Sequence, residues 1–400
     1  MDPMSNNHNN NNKKKDYKIL ISSVTWDMTR QYFDSLTRVV EGVDAIPAVQ
    51  PGKYFQNRLT TTASNDTGVT STTDSHHQRH YTTMMYHLLN TKKPQIFAES
   101  EIIGRAEDDW SPKELEILGD ISIAVPVTIF DDGKHNYSDA QVHDPPFEGT
   151  LLYVPGALLT NGYGQIPCDL SRIKSRDGHN MSIDPDLLNA FYERRLLPCL
   201  LYANQVCKDK SKKAFITIPG LGCGFFAGSF RGQMGKLLQD VMEHILTKHG
   251  EQLDSIQALY YDPYNECNNQ RKVIHNIVFM VRPLCKTPTE KKEKSQLCHP
   301  KVYEEEEFGD DFSDCEFFSF VAWDHVSWPG NDFWTGSRAT DDGVKAAATS
   351  SMGVMTGYEG CYDKQYCEYR PPRNFTCWED VVNAFSLEIE VRQGDNFLIL

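Results

Sequence analysis

The sequence predicts an α/β fold, because three separate stretches each run from a strand pattern through a turn into a helix pattern. Tyr17 to Val24 is a short apolar strand run, and behind it Tyr32, Phe33, Leu36, Val39 and Val40 fall at helical spacing between Thr29 and Val40. Ala214 to Pro219 leads through Gly220-Leu221-Gly222-Cys223-Gly224 to a helical stripe of Met234, Leu237, Leu238, Val241 and Ile245, closed by Gly250. Phe317, Phe318, Phe320, Val321 and Ala322 form a third buried-strand run. Pro329 and Gly330 then turn the chain, and Thr340-Asp341-Asp342-Gly343 opens a helix containing Ala346, Ala347 and Ala348.

The remaining elements follow in order. Met1 to Lys15, with its Asn tract and three lysines, is too polar to bury and is expected to be a disordered tail, leaving 16–400 as the folded domain. Asn57 to His80 reads as a mobile polar loop. Its His76, His77 and His80 lack a Cys or acid at ligand spacing, so no metal is expected. Tyr81 to Leu89 reads as a helix, and Ile121 to Phe130 as a strand whose Pro126 marks an edge or bulge. Asp131 to Gly149 is a polar insertion and Leu151 to Val154 another strand. Leu187 to Val206 is a buried helix that Pro198 should kink or end. Ser255 to Tyr261 and Val273 to Val281 are strands, and Lys286 to Lys294 a charged linker within a polar insertion spanning 286–316, whose acidic part from Glu304 to Glu316 is expected to be exposed. Trp378 to Phe385 and Phe397 to Leu400 supply a closing helix and strand.

Composition narrows the function classes. A hydrophobic fraction of 40% in 400 residues is ample for a core. The net charge of −15 argues against a nucleic-acid surface and favours a cationic substrate. Eleven cysteines without CxxC pairs, and no N-terminal apolar segment, imply free thiols in a reducing, cytoplasmic setting. No run approaches the ~20 apolar residues a membrane helix requires, so no membrane partner is expected.

Two motifs carry chemistry. The glycines 220, 222 and 224, with Cys223, Phe225 and Phe226, let the backbone present bare N–H groups, and a helix N-terminus lies nearby, so a phosphate or pyrophosphate is the natural occupant. Neither a P-loop nor a dinucleotide fingerprint is present. Tyr261 or Tyr264, at a strand exit, could stack on a base. In the second motif Asp324 follows a strand, Asn331 and Asp332 sit in a loop, and Asp342 opens a helix; three such places can converge on one cleft. Taken singly, these acids could equally cap a helix or close Asx turns. Cys223 as a thiol nucleophile lacks a histidine placed to serve it.

The glycine loop from Ile218 to Gly228 resembles the second ADP-ribose-binding loop of macrodomains. The block from Trp323 to Phe333, continuing from Thr340 to Thr349, resembles that of the MavL-type macrodomains, effector hydrolases that remove ADP-ribose from arginine side chains. The resemblance covers most of the chain beyond Asp16. It implies a macrodomain-like three-layer fold with a mixed central sheet, binding ADP-ribose at the strand ends and acting on an ADP-ribosylated protein without a cofactor. By residue it makes Asp324, Asp332 and Asp342 the catalytic acids, with Gly220, Gly222, Cys223, Gly224, Phe225, Phe226, Asn331 and Tyr261 around ADP-ribose. The loop order is permuted: ordinary macrodomains place an Asn-rich ribose loop before the phosphate loop, and here the corresponding segment follows it. A module that binds ADP-ribose without hydrolysis is the alternative, its acids then holding ribose hydroxyls only.

Overall fold

Period-two alternation along the strands decides the architecture. The computed structural model describes residues 15–40, 51–63, 73–96, 109–160, 166–175, 181–285 and 294–400. Its strands are β1 (Lys18–Ile21), β2 (Ile121–Asp131), β3 (Val142–Pro155), β4 (Ala214–Pro219), β5 (Ile256–Asp262), β6 (Gln270–Ile274), β7 (Ile277–Val281), β8 (Glu316–Trp323), β9 (Cys361–Asp363), β10 (Glu368–Arg370) and β11 (Phe397–Ile399). The helices are α1 (Ser23–Val40), α2 (Lys53–Ala63), α3 (Thr73–Leu89), α4 (Pro112–Gly119), α5 (Cys168–Ile173), α6 (Pro185–Asp209), α7 (Met234–His249), α8 (Asp341–Ala347), α9 (Ser351–Thr356) and α10 (Trp378–Phe385).

Nine strands form one mixed sheet in the order β11-β1-β2-β3-β8-β4-β5-β7-β6, while β9 and β10 pair separately. Alternate residues feed two cores. Tyr153, Phe317, Val321 and Trp323 face one with α1, α3, α4, α8, α9 and α10; Leu152, Val154, Phe318 and Phe320 face the other with α5, α6 and α7. This is the three-layer, macrodomain-like arrangement that the resemblance implied. β3, β8, β4, β5 and β7 run parallel, so Pro155, Trp323, Pro219 and Asp262 all exit at one end of the sheet, with β8 at its centre. Loops there can meet in a common crevice.

Several elements differ from the sequence reading. β1 stops at Ile21, because the Ser22 hydroxyl accepts the Thr25 N–H at 3.1 Å and starts α1 at Ser23, earlier than Thr29. The expected loop over 57–80 is helical in α2 and α3 on either side of residues 64–72, which lie outside the described residues. Much of 131–149 belongs to β3, which extends alongside β2 from Val142. Pro126 lies beyond Ala124, the last β2 residue that β1 pairs, so the strand is locally an edge there. α6 runs through Pro198 to Asp209. Val273 to Val281 is not one strand: a turn at His275-Asn276, with φ 51° at His275, makes it the β6–β7 hairpin. In the acidic stretch Glu305 and Asp310 are drawn in by Arg282 and Arg271, at 2.7 and 2.6 Å, while Glu306 and Glu307 stay exposed. The tail over 1–14 and the linker over 286–293 lie outside the described residues.

A buried ion network fixes the exit of β3. The Arg195 guanidinium, 0% exposed, donates to Asp120 at 3.2 Å, to Asp169 at 2.8 Å, and to the carbonyls of Pro155 and Gly156 at 3.1 Å each. Arg172 and Arg194 also hold Asp120, which in turn accepts from the Thr25 hydroxyl at 3.1 Å. Burial alone would push the Asp120 carboxyl up, but the guanidiniums of Arg172, Arg195 and Arg194 outweigh it and hold it at about 2. Asp120 therefore stabilises the fold above the ordinary carboxylate range, and that contribution disappears as pH falls toward 2. Replacing Asp120 by Asn should cost about 3–5 kcal/mol, the scale for breaking a buried pair. Denaturant unfolding at pH 7 checks this, and the gap to wild type should narrow as pH falls below 4.

Candidate functional site

The acid block leaves the centre of the sheet. After β8 ends at Trp323, the chain passes Asp324, turns at Pro329-Gly330 and enters a short 3-10 turn over Asn331–Thr335. It then reaches α8, capped by the Thr340 hydroxyl on the Gly343 N–H at 3.1 Å. Asp342 is therefore not the cap. Its carboxylate folds back to accept the Gly330 N–H at 2.6 Å through Oδ1, while the buried Oδ2 has no hydrogen-bond partner. Burial pushes its carboxyl well above the usual range, and Asp332 and then Asp324 push it further. Asp332 and Asp324 thus both stand within electrostatic reach of Asp342.

Their surroundings separate them. Asp324 accepts from the Asn331 amide at 2.5 Å. Asp332 accepts the Ala339 and Thr340 N–H groups at 2.8 and 3.2 Å, and the Thr340 hydroxyl as well. A Cβ on Gly343 would come within 2.6 Å of the Asp332 carboxylate, so only glycine admits that acid at the start of α8. Asp332 therefore also staples its loop. Asn331 spends the other end of its amide on the Ile96 N–H at 2.9 Å and is buried. In this structure the buried Asn331 amide orients Asp324.

Groups that the sequence reading missed balance the charge. Lys92, just beyond α3, is buried, donates to the His325 carbonyl and lies 4.3 Å from the centre of the Trp323 ring. Burial pulls its ammonium well below the usual range, and Asp324 opposes this. Lys345 donates to the Phe320 carbonyl at 2.6 Å and to Gln296 at 2.8 Å, and pairs with Asp341 at 3.1 Å. Asp341 also accepts the Ala322 N–H at 2.9 Å, which ties α8 to β8. The adjacency of Asp341 and Asp342 was a visible signal; nothing local marked Lys92.

At the neighbouring strand exit, the glycines have different tasks. Gly222 has φ +73°, and a Cβ there would meet the Ala157 N and O at 2.9 Å; one on Gly156 would meet the Gly222 N at 2.4 Å. The exits of β3 and β4 interlock through bare backbone. Gly220 would bring a Cβ 3.1 Å from the Cys223 sulfur, whereas Gly224 is exposed and a Cβ would touch nothing. Phe225 is exposed and Phe226 half-buried. Cys223 is buried, and burial, then Glu266, pushes its thiol up, the opposite of an activated nucleophile.

Two further expectations are corrected here. The N-terminus of α7 is already occupied: Glu266 accepts the Gly232 and Gly235 N–H groups at 2.9 and 2.5 Å. Glu266 thus takes two of the N–H groups at that helix start. Tyr261 is fully buried and donates to the Gly235 carbonyl at 2.9 Å, so its ring offers no face for stacking; Tyr264, 58% exposed, does. Beside the acid loop, Phe333 and Gly336 join Tyr362, Arg370, Phe375 and Trp378 around a groove of about 860 Å³. All eleven cysteines are free, and among the described residues no metal-binding cluster and no helix long and apolar enough to cross a membrane occur.

No curated protein matches the chain. A family model described as the macrodomain effector MavL matches residues 17–375, a span that takes in β1, the glycine loop and the whole acid block. The chain therefore belongs to the MavL macrodomain effector family.

Proposed function

We propose that this chain is a hydrolase that removes ADP-ribose from arginine side chains of modified proteins. The observation that carries the proposal is the meeting of Asp324, Asp332 and Asp342 at the exit of the central strand, with one oxygen of buried Asp342 unpartnered. Family membership supports ADP-ribose-related work; arginine as the bearer of the modification is argued from the acids.

Cleaving the bond between ribose and a guanidinium passes through an oxocarbenium-like state, in which a carboxylate stabilises the cation and a carboxyl exchanges a proton with water or leaving group. Asp324, oriented by Asn331, supplies the fixed negative charge. Asp342, with its raised proton affinity, is the group suited to proton exchange near neutral pH. Asp332 holds the loop that carries both. Gly224 and the exposed backbone around it receive the pyrophosphate, with Phe225 and Tyr264 as the exposed aromatic faces nearby.

Incubation with peptides bearing ADP-ribose on Arg, Glu or Ser, followed by mass spectrometry of the released group, tests the reading. Arginine-linked ADP-ribose should leave fastest, because acids grip a guanidinium through charge-assisted bonds that a neutral ester cannot form. Equal rates on Arg and Glu would show that the acids do not select the leaving group. Asp342→Asn and Asp332→Asn should each slow release by about two orders of magnitude or more, with ADP-ribose binding by Asp342→Asn retained in calorimetry. Tight ADP-ribose binding with no release by the wild type would identify a reader instead. Gly224→Val, whose side chain enters open space, should leave the fold intact and weaken ADP-ribose binding by about tenfold or more. Unchanged affinity would move the phosphate site elsewhere. Gly222 is unsuited to that test, since its substitution collides with Ala157.

A further inference from the structure

Among the described residues, seven buried side-chain polar atoms lack a hydrogen bond, and five of them belong to the β3 and β8 exits, the acid block and the start of α9: Tyr153 Oη, Trp323 Nε1, Trp328 Nε1, Asp342 Oδ2 and Ser351 Oγ. Such groups are rare in folded proteins, and each calls for a partner in some working state of the molecule. Tyr153, on β3, is 0% exposed and packs edge-on against Trp323 with ring centroids 6.3 Å apart. Both Asp342 and Ser351 bear on its phenol: burial, then Asp342, pushes the phenol well up, and the Ser351 hydroxyl, near enough to act as a hydrogen-bonding group though the two hydroxyls are not in hydrogen-bond geometry, opposes this. A phenol held so firmly protonated is a permanent donor. Asp342 Oδ2, once ionised, is an acceptor in want of one.

We propose that Tyr153 is a positioning residue for Asp342, its hydroxyl donating to the buried carboxylate directly or through a single water shared with Ser351, and thereby setting the pH at which Asp342 gives up its proton. The role in catalysis rests on the hydrolase reading; the coupling between the two side chains does not. The other charged groups facing Asp342 are Asp332, Asp324, Asp341 and Lys345. Asp341 and Lys345 offset each other at 3.1 Å, while Asp332 and Asp324 raise the proton affinity that Tyr153 must restrain. A donor to the ionised form lowers the pKa of an acid, so removing it should raise that pKa further.

The test is a pH-resolved double-mutant cycle of wild type, Tyr153→Phe, Asp342→Asn and the double variant, read by thermal unfolding from pH 4 to 8. Because the folded Asp342 carboxyl titrates above its unfolded value, wild type loses stability relative to Asp342→Asn as pH rises. In the Tyr153→Phe background this loss should be steeper or extend to higher pH, displacing the apparent Asp342 pKa upward by about one unit, a tenfold change in proton affinity. A Tyr153 that only fills space would give a loss independent of pH and no coupling to Asp342; that result, or a downward displacement, overturns the proposal. Ser351→Ala, which keeps both partners, should give a smaller displacement of the same sign and serves if Tyr153→Phe does not fold. With arginine-linked substrate, the limb of the pH–rate profile assigned to Asp342 should move upward by the same amount in Tyr153→Phe. If wild type cleaves nothing, the hydrolase reading falls while the unfolding cycle still decides the coupling.

Discussion

The guanidinium of Arg195 is the constraint on which the candidate site depends. It is fully buried between Asp120 and Asp169 and spends its remaining donors on the carbonyls of Pro155 and Gly156. Those two residues are where β3 leaves the sheet and where the Gly222 backbone packs. A buried pair of this kind adds little net stability compared with well-packed apolar side chains, but it admits very few geometries. Its value here is orientation: α4, α5 and α6 are all referred to the exit of one strand.

A second balance operates at the exit of β8. Asp324, Asp332, Asp341 and Asp342 come from a single local segment, whereas the cations that offset them differ in origin. Lys345 is supplied by α8 itself, and Lys92 arrives from far earlier in the chain, beside α3. The offset is incomplete, since Asp342 keeps a strongly raised proton affinity and an oxygen without a partner. Sites that do proton chemistry tolerate such local cost because the surrounding packing holds them in place.

What the sequence disclosed follows the range over which each constraint acts. The strand, glycine turn and helix of 214–250, and the strand, loop and capped helix of 317–347, were legible because spacing and capping are local. The grouping of Asp324, Asp332 and Asp342 was legible for the same reason. Burial was not: Asn331 and Tyr261 look like ligand-binding types, yet one is spent on Asp324 and Ile96 and the other on Gly235. Tyr153, Lys92 and Glu266 reach the site from other elements, and only tertiary pairing reveals them. The β6–β7 hairpin escaped notice because its turn is His275-Asn276, without the glycine that usually announces one.

The carboxylate of Glu266 at the start of α7 has a consequence for how the glycine loop meets a ligand. By engaging the N–H groups of Gly232 and Gly235 it does, from within the chain, what a bound anion does at other helix starts. The junction of loop and helix is thus ordered during folding, and little freedom remains there for a ligand to remove. On the function proposed above, the loop would meet its ligand as a preformed mould, and affinity at this end of the crevice would be set by shape around the exposed Gly224, with little spent on ordering the chain.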